Sequence, residues 1–301
     1  LPALGVGTWN MGDSTARREE EIASLRYAVE QGVQVVDTAE MYGNGRSEHL
    51  VGEAIAPLRK QVFLVSKVLP SNASAKGVAQ SCRQSLRQLG TDRLDLYLLH
   101  WRGNVPLSET VEAFRTLQQE GLIRYWGVSN FDTDDMRDLE CCIHPGECVA
   151  NQILYSLEHR GVEYDLLTAD RQRRVVSMAY SPIGQGGALL HNPVLGRVAA
   201  RHTTSLGVAT PAQVALAWVL RQPNMLAIPK AGTVAHMRLN LAAQELVLSA
   251  QDLAELDGAF APPRRKEPLA MICPAARAPC LRASVFCHLR LTTCYGSSRA
   301  L

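Results

Sequence analysis

The chain has 301 residues and a net charge of +2, with 47% hydrophobic and 20% charged residues. This composition supports a large apolar core and lacks the strong positive charge of proteins that bind nucleic acids or membrane surfaces. No stretch approaches the roughly 18 apolar residues of a membrane span, so we expect a cytoplasmic protein with no nucleic-acid or membrane partner.

Eight short apolar segments have the composition of buried strands. In chain order they span residues 4–9, 33–37, 62–66, 94–99, 122–128, 148–151, 175–179 and 226–228. Helix formers and helix start and stop signals predict helices between these strands. The predicted helices span residues 16–31, 47–58, 74–89, 108–120, 134–143, 163–172 and 211–221.

This alternation of strands and helices is the pattern of a single-domain α/β protein, a (β/α)8 TIM barrel. A doubly wound sheet is the competing architecture, and it would carry a glycine-rich turn that leads directly into a helix. Gly5, Gly7 and Gly12 do not fit that turn, because no helix begins immediately after them. We therefore predict a barrel domain over residues 1–271.

Polar side chains stand where nearly every predicted strand ends. They are Asp37, Lys67, His100, Ser129, Asn130, Gln152, Tyr180, Ser181 and Lys230, with Tyr42 added from the loop after the second strand. In a parallel barrel these ends meet on one face, where reactive groups collect. Any one of these residues could simply begin a loop. Together they indicate a catalytic site in which a buried lysine and a buried aspartate pair.

The cysteines give no sign of a metal site. Cys82, Cys141, Cys142 and Cys148 lack metal-ligand spacing and are typical of reduced cytosolic thiols. Cys273, Cys280, Cys287 and Cys294 recur every seventh residue, but these intervals match no familiar zinc arrangement. Prolines between them also exclude a continuous helix with a cysteine seam. We therefore predict that the protein binds no metal.

Six motifs are spread along the chain. They are GVGTW at residues 5–9, VVDTAEMYGNGRSEHLVGEAI at 35–55, VSKV at 65–68, LDLYLLHW at 94–101, GVSNF at 127–131 and IPKAGTVAHMRLN at 228–240. Together they resemble the aldo-keto reductase superfamily, in its bacterial type, over residues 1–271. The spacing of Asp37 and Tyr42, followed by SK and HW at suitable distances, makes the resemblance specific.

The resemblance implies a catalytic tetrad of Asp37, Tyr42, Lys67 and His100 that protonates the carbonyl oxygen when a hydride is delivered to the carbonyl carbon. Tyr42 would be the general acid, although a free tyrosine has a pKa of about 10. A nearby Lys67 ammonium would lower that pKa, and Asp37 would hold Lys67 through a charge-assisted hydrogen bond. His100 would donate to the carbonyl oxygen and polarise it.

The resemblance also implies NADPH as the cofactor, with NADH as the alternative. The implied contacts are Ser129, Asn130, Gln152 and Tyr180 with the nicotinamide, Ser181 and Gly184 with the pyrophosphate, and Lys230, Thr233, His236 and Asn240 with the adenosine end. Trp9 and Trp101 would wall the substrate pocket, although each could equally be a packing aromatic. The chain departs from frequent family residues at Ala231, His236 and Leu239, and a neutral histidine binds phosphate more weakly than an arginine.

Both ends of the sequence are unusual. The first residue is Leu1 rather than Met, and the strand-like opening indicates that an upstream piece is missing. Residues 272–301 form an atypical basic tail with four arginines, no acidic residue and four cysteines. We hypothesise that this tail is a frameshifted or read-through extension and that it is disordered.

Two classes of function remain. The leading one is an NADPH-dependent oxidoreductase that reduces small aldehydes or ketones to alcohols and acts as a monomer. The alternative is an accessory or regulatory subunit that binds the nicotinamide nucleotide with little turnover. The intact tetrad favours the enzyme. A barrel isomerase that uses Lys67 and His100 would leave the set of Ser129, Asn130 and Gln152 unexplained.

Overall fold

The computed structural model describes residues 3–272, and eight parallel strands in them form one sheet. These strands are β1 Val6–Gly7, β2 Val35–Asp37, β3 Phe63–Val68, β4 Leu94–Leu99, β5 Ile123–Ser129, β6 Cys148–Leu154, β7 Val176–Tyr180 and β10 Met225–Ala227, and a two-stranded hairpin of β8 Thr203–Thr204 and β9 Gly207–Val208 lies apart from them. The amide of Gly5 donates to the carbonyl oxygen of Ala227 at 2.8 Å, and the amide of Ala227 donates to that of Ala3 at 2.8 Å. These bonds join the last strand to the first and confirm the predicted (β/α)8 barrel.

Ten α-helices occur in the described part of the chain. They are α1 Arg18–Glu30, α2 Arg46–Ile55, α3 Ala75–Leu89, α4 Leu107–Gln119, α5 Thr133–Glu140, α6 Leu166–Arg173, α7 Pro193–Ala199, α8 Pro211–Leu220, α9 Val234–Ala242 and α10 Ala250–Ala259. Local signals fix several ends. The Ser74 side chain caps α3 by accepting from the amide of Gly77, and Gly90 ends this helix in the left-handed conformation.

The sequence prediction was wrong at several element boundaries. Strand β3 continues to Val68, so Lys67 lies inside the strand and not after its end. The helix predicted to reach residue 58 ends at Ile55, because Pro57 opens a 3-10 segment over Ala56–Gln61. Helices α7, α9 and α10 and the hairpin were not predicted. The tail from Cys273 onward lies outside the described residues.

Alternation along the strands builds the face on which the polar residues meet. The barrel interior is filled by Val35, Val65, Leu96, Leu98, Ala150, Met178, Leu226 and Ile228. Asp37, Lys67, His100, Gln152 and Tyr180 each follow one of these interior residues by two positions. Side chains two positions apart on a strand share a face, so the five polar groups form the next layer of the interior, at the carboxyl ends of the strands.

Gly127 allows strands β5 and β6 to approach closely below this layer. A Cβ atom on Gly127 would lie 2.4 Å from the carbonyl oxygen of Ala150 and 3.0 Å from Cδ2 of Leu98. The register between the two strands also shifts between Trp126 and Val128. Only a residue without a side chain fits here, and it brings the end of β5 next to Gln152.

Candidate active site

Lys67 lies at the centre of a buried polar cluster. Its Nζ donates to Oδ2 of Asp37 at 2.7 Å, to the carbonyl oxygen of Thr38 at 2.8 Å and to the hydroxyl of Tyr42 at 3.3 Å. The side chains of Lys67 and Asp37 are 0% and 2% exposed. A charge removed from water in this way needs a full set of partners, and Lys67 has three acceptors for its three N–H groups.

The electrostatic setting keeps protons on both Lys67 and Tyr42. Burial alone lowers the pKa of Lys67, but the charge of Asp37 and the bonds to Asp37 and Tyr42 raise it above its ordinary value. Burial raises the pKa of Tyr42, and Lys67 opposes this only in part. Lys67 therefore acts on the pKa of Tyr42 in the expected direction, but the cost of desolvating a phenolate is larger, so the net pKa lies above its ordinary value.

His100 contributes a neutral imidazole next to Tyr42. Burial and the nearby Lys67 ammonium lower the pKa of His100 well below its ordinary value. Its ring centre lies 6.0 Å from that of Tyr42, in an edge-on arrangement, and 4.9 Å from that of Trp101. The ring Nδ1 atom is buried and has no hydrogen-bond partner. A neutral ring carries one N–H donor and one acceptor, which suits it to contact an uncharged polar ligand.

Three consecutive residues with positive φ angles shape the loop that follows Tyr42. Gly43, Asn44 and Gly45 follow one another at φ values of 57°, 52° and 86°. Glycine and asparagine adopt this left-handed region most readily. The run turns the chain sharply from the loop into α2, and it leaves Tyr42 beside Lys67.

Three buried hydroxyl groups that sequence reasoning missed support the same region. Ser47 Oγ donates to the carbonyl oxygen of Thr8 at 3.0 Å, and it lies 2.8 Å from the hydroxyl of Thr8 and 3.2 Å from that of Thr38. The hydroxyl of Thr8 also donates to the carbonyl oxygen of Asp37 at 2.9 Å. These residues lie inside the recognised motifs, but Thr8 was assigned to a strand, Ser47 to a helix, and Thr38 follows the strand-end residue Asp37. A search for polar residues at strand ends therefore passes over them.

Ser129, Asn130, Gln152 and Tyr180 form a second polar group. Tyr180 donates to Oδ1 of Asn130 at 2.9 Å, and Nδ2 of Asn130 donates to the carbonyl oxygen of His100 at 3.0 Å. Ser129 donates to the carbonyl oxygen of Gln152 at 2.9 Å. The four residues predicted to meet the nicotinamide are therefore together, and they contact one another in this structure.

A cavity of about 710 Å³ lies at the carboxyl ends of the barrel strands. Asp37, Tyr42 and Trp9 line one part of it, and Lys230 and Asn240 line another. The other predicted residues that line it are Tyr180, Ser181 and His236. Trp101 is not among its lining residues, and its ring packs instead on His100. A cavity of this size accommodates an extended organic ligand.

The part of the cavity near α9 has features that suit the adenosine end of a nucleotide. The Thr233 side chain caps α9 by accepting from the amide of His236. Asn240 is 6% exposed, and its Nδ2 atom has no hydrogen-bond partner. A buried unpaired amide is costly, and a ligand acceptor would satisfy it. In the loop after β7, Gly184 has a φ of 60° and its neighbours Ile183 and Gln185 line the cavity.

Residues 3–272 contain no group of three or more His, Cys, Asp or Glu side chains placed to hold a metal ion. The helices in this range are also too short or too polar to cross a membrane.

Known proteins resemble this chain over most of its length. The sequence model of the aldo/keto reductase family matches residues 3–261. Methylglyoxal reductase YeaE of Escherichia coli K12 is 47% identical over 276 residues, which cover 90% of this chain and 95% of that protein. Methylglyoxal reductase DkgB of Escherichia coli O157:H7 is 33% identical over 268 residues, which cover 85% of this chain and 93% of that protein.

Solved structures show the same likeness. An aldo/keto reductase from Klebsiella pneumoniae, crystallised in complex with NADP and acetate, is 47% identical with a TM-score of 0.86. The match covers 90% of this chain and 96% of that one. The thermostable aldo-keto reductase Tm1743, in complex with the inhibitor epalrestat, is 39% identical with a TM-score of 0.79, over 86% of this chain and 95% of that one.

Proposed function

The chain belongs to the aldo/keto reductase family, and we propose that it reduces small aldehydes and ketones to alcohols with NADPH as the hydride donor. It is an NAD(P)H-dependent oxidoreductase by family. The observation that carries the proposal is the buried chain of hydrogen bonds from Asp37 through Lys67 to Tyr42. This chain ends at Tyr42, which lines the cavity of about 710 Å³.

In the proposed reaction, bound NADPH supplies a hydride to the carbonyl carbon. Tyr42 then supplies the proton to the oxygen. Its raised pKa keeps the phenol protonated at neutral pH, so the donor is ready when the substrate binds. The phenolate left behind lies next to the Lys67 ammonium, which stabilises it. Asp37 keeps Lys67 charged and in place.

His100 would orient the substrate. Because its imidazole is neutral, a ring N–H can donate to the carbonyl oxygen without bringing a second full charge beside Lys67. This polarises the carbonyl group toward hydride attack. Trp9 lines the same cavity as Tyr42 and would limit the size of the substrate.

Several groups would hold the cofactor. They are Ser129, Asn130, Gln152 and Tyr180 at the nicotinamide, Ser181 and Gly184 at the pyrophosphate, and Lys230, Thr233, His236 and Asn240 at the adenosine end. The unpaired Nδ2 of Asn240 supports this assignment. Lys230 would attract the 2′-phosphate that distinguishes NADPH from NADH. The Klebsiella relative was crystallised with NADP, which also supports this choice.

The substrate class we propose is a small 2-oxoaldehyde such as methylglyoxal. Two relatives at 47% and 33% identity are methylglyoxal reductases. The proposal includes a cytoplasmic monomer with no nucleic-acid or membrane partner. The alternative, a nucleotide-binding accessory subunit, shares the same cavity but requires no turnover.

NADPH absorbance in the presence of methylglyoxal or 4-nitrobenzaldehyde tests the proposal. We expect the wild-type protein to oxidise NADPH and Tyr42→Phe to lose at least about 10²-fold in kcat, the usual contribution of a general acid. NADPH binding, measured by quenching of protein fluorescence, should be retained in this variant. Tight NADPH binding without turnover on either carbonyl would support the accessory subunit, and equal rates in the two proteins would refute the role of Tyr42.

A further inference from the structure

The two oxygens of the buried Asp37 carboxylate have two different donors. Oδ2 accepts from Lys67 at 2.7 Å, and Oδ1 accepts from Nε2 of Gln152 at 2.8 Å. Asp37 and Gln152 are each 2% exposed. Strand β2 is second and β6 is sixth in the order of the eight-stranded barrel, so the Gln152 side chain reaches Asp37 from the opposite wall.

Gln152 is itself firmly held. Its backbone carbonyl accepts from the Ser129 hydroxyl at 2.9 Å and from the amide of Asn130 at 2.8 Å. It also pairs with Met178 on the neighbouring strand. A residue fixed on both sides of its strand is a suitable anchor for a partner across the barrel.

The layer beneath Asp37 is apolar, with Val35 and Val65 in the barrel interior. A carboxylate oxygen that faces such a surface without a donor is strongly unfavourable. Without Gln152, Asp37 would therefore take up a proton more readily or turn both oxygens toward Lys67. Either change moves the Lys67 ammonium relative to Tyr42, because the same Nζ bonds both residues.

We infer that Gln152 is a positioning residue that holds the Asp37–Lys67 pair in its productive arrangement, in addition to any contact with the cofactor. The inference rests on the proposed function for its kinetic consequence. One N–H of the Gln152 amide is committed to Asp37, so the carbonyl oxygen of the amide is the group left to accept from the nicotinamide carboxamide. Gln152 thereby links the nicotinamide site to the residues that deliver the proton.

The kinetic consequence is a shift in pH dependence. The titratable groups that face Asp37 are Lys67 on β3 and Tyr42 on the loop after β2, with His100 after β4 next to Tyr42. A donor to the ionised carboxylate favours ionisation. Loss of the Gln152 donor should therefore shift the pH profile of kcat, measured at saturating NADPH. The acid limb of that profile should move to higher pH by about one unit.

The experiment compares Gln152→Met, which keeps the length of the side chain and removes the donor, with Ser129→Ala. Ser129 belongs to the same predicted nicotinamide set, and its hydroxyl bonds only the Asn130 side chain and the backbone carbonyl of Gln152. The amide of Asn130 still holds that carbonyl in Ser129→Ala, and the bond from the Gln152 side chain to Asp37 is untouched. We expect the acid limb to shift in Gln152→Met and to stay in place in Ser129→Ala. An unshifted limb in Gln152→Met, with only a weaker Kd for NADPH, would overturn the inference.

Gln152→Glu provides an independent kinetic readout. When protonated, the introduced carboxyl can donate to Asp37 as the amide does. When ionised, it repels Asp37. We expect kcat to fall as the pH rises through the pKa of the introduced group, on a limb that the wild type lacks. A variant with the wild-type profile would contradict the inference.

A double-mutant cycle in urea, without nucleotide, separates this inference from the proposed function. The cycle combines Gln152→Met with Asp37→Ala. Gln152→Met should lower the unfolding midpoint less when Asp37 is already absent. Additive effects would overturn the link even if the enzyme is active, whereas coupling in a protein that reduces no carbonyl would leave the link intact and refute the function alone.

Discussion

Lys67 shows how a single residue can combine stability with chemistry. A fully buried ammonium would ordinarily lose its proton, but Asp37, Thr38 and Tyr42 satisfy it. The desolvation cost of such a group is large, so a buried pair of this kind is not retained for stability alone. Its position between Asp37 and Tyr42 is what the proposed proton transfer requires.

Asp170 is a second buried ionisable residue, and it lies outside the candidate site. It is fully buried, its Oδ2 accepts from Asn151 and Ser177 at 3.3 Å each, and its Oδ1 has no partner. Burial raises its pKa to about 7. Because an unfolded aspartate has a pKa of about 3.9, the folded protein binds an extra proton between these values. Stability should therefore fall as the pH rises toward 7 and then level off.

We expect Asp170→Asn to remove this dependence. Between about pH 5 and about pH 8 the free energy of unfolding of the wild type should fall by roughly 3 kcal/mol relative to that of the variant. Urea unfolding of both proteins at the two pH values measures the difference, and other titrating groups cancel. Asp92→Asn, at an exposed carboxyl, is the control and should follow the wild type. Parallel pH dependence of wild type and Asp170→Asn would contradict the prediction.

At the scale of elements, the barrel depends on close approach of its strands. We expect Gly127→Ala to destabilise the protein by about 2–4 kcal/mol, because the new methyl group meets the carbonyl oxygen of Ala150 and backbone must move. Urea denaturation measures the loss. Gly196→Ala in α7 is the matched control, since nothing lies within 4 Å of its Cβ position. In that control the free energy of unfolding should rise by about 0.5–1 kcal/mol. An equal effect of the two substitutions would refute the packing argument.

The central strands could be predicted from the sequence because their apolar runs are long and buried on both faces. Helices such as α3 carry clear caps. Helix α9 was not predicted because its apolar residues lack helical periodicity over only nine positions, and α10 because its capping box at Ser249 precedes a weakly amphipathic segment. Both are stabilised by packing against the rest of the barrel, and this is not encoded locally.

The contacts of the site were less predictable than its members. Alternation predicts that Asp37, Lys67 and Gln152 share the barrel interior. It does not predict which pairs touch. Asp37 and Gln152 are 115 residues apart in sequence, and their side chains meet only across the interior of the closed barrel. The raised pKa of Tyr42 likewise depends on how completely the folded chain excludes water, and a list of neighbouring charges does not contain that information.

At the scale of the whole molecule, charge is unevenly distributed along the chain. Residues 272–301 hold four arginines and no acidic residue, so they turn a net charge of −2 for the preceding residues into +2 for the protein. Residues Leu1–Met271 form one compact unit that contains every candidate site residue. We therefore expect the proposed chemistry to use no residue of the basic segment.

We expect a chain that ends at Ile272 to keep the urea midpoint and the NADPH oxidation rate of the full protein, and to bind an anion exchanger more strongly because its net charge is negative. A chain that ends at Ser249 is the contrasting control. It lacks α10, whose Leu256 is fully buried and whose Asp257 pairs with Arg160 at 2.7 Å, and it should unfold. Loss of activity or of cooperative unfolding in the chain ending at Ile272 would show that the basic segment supports the barrel, contrary to the hypothesis of a disordered extension.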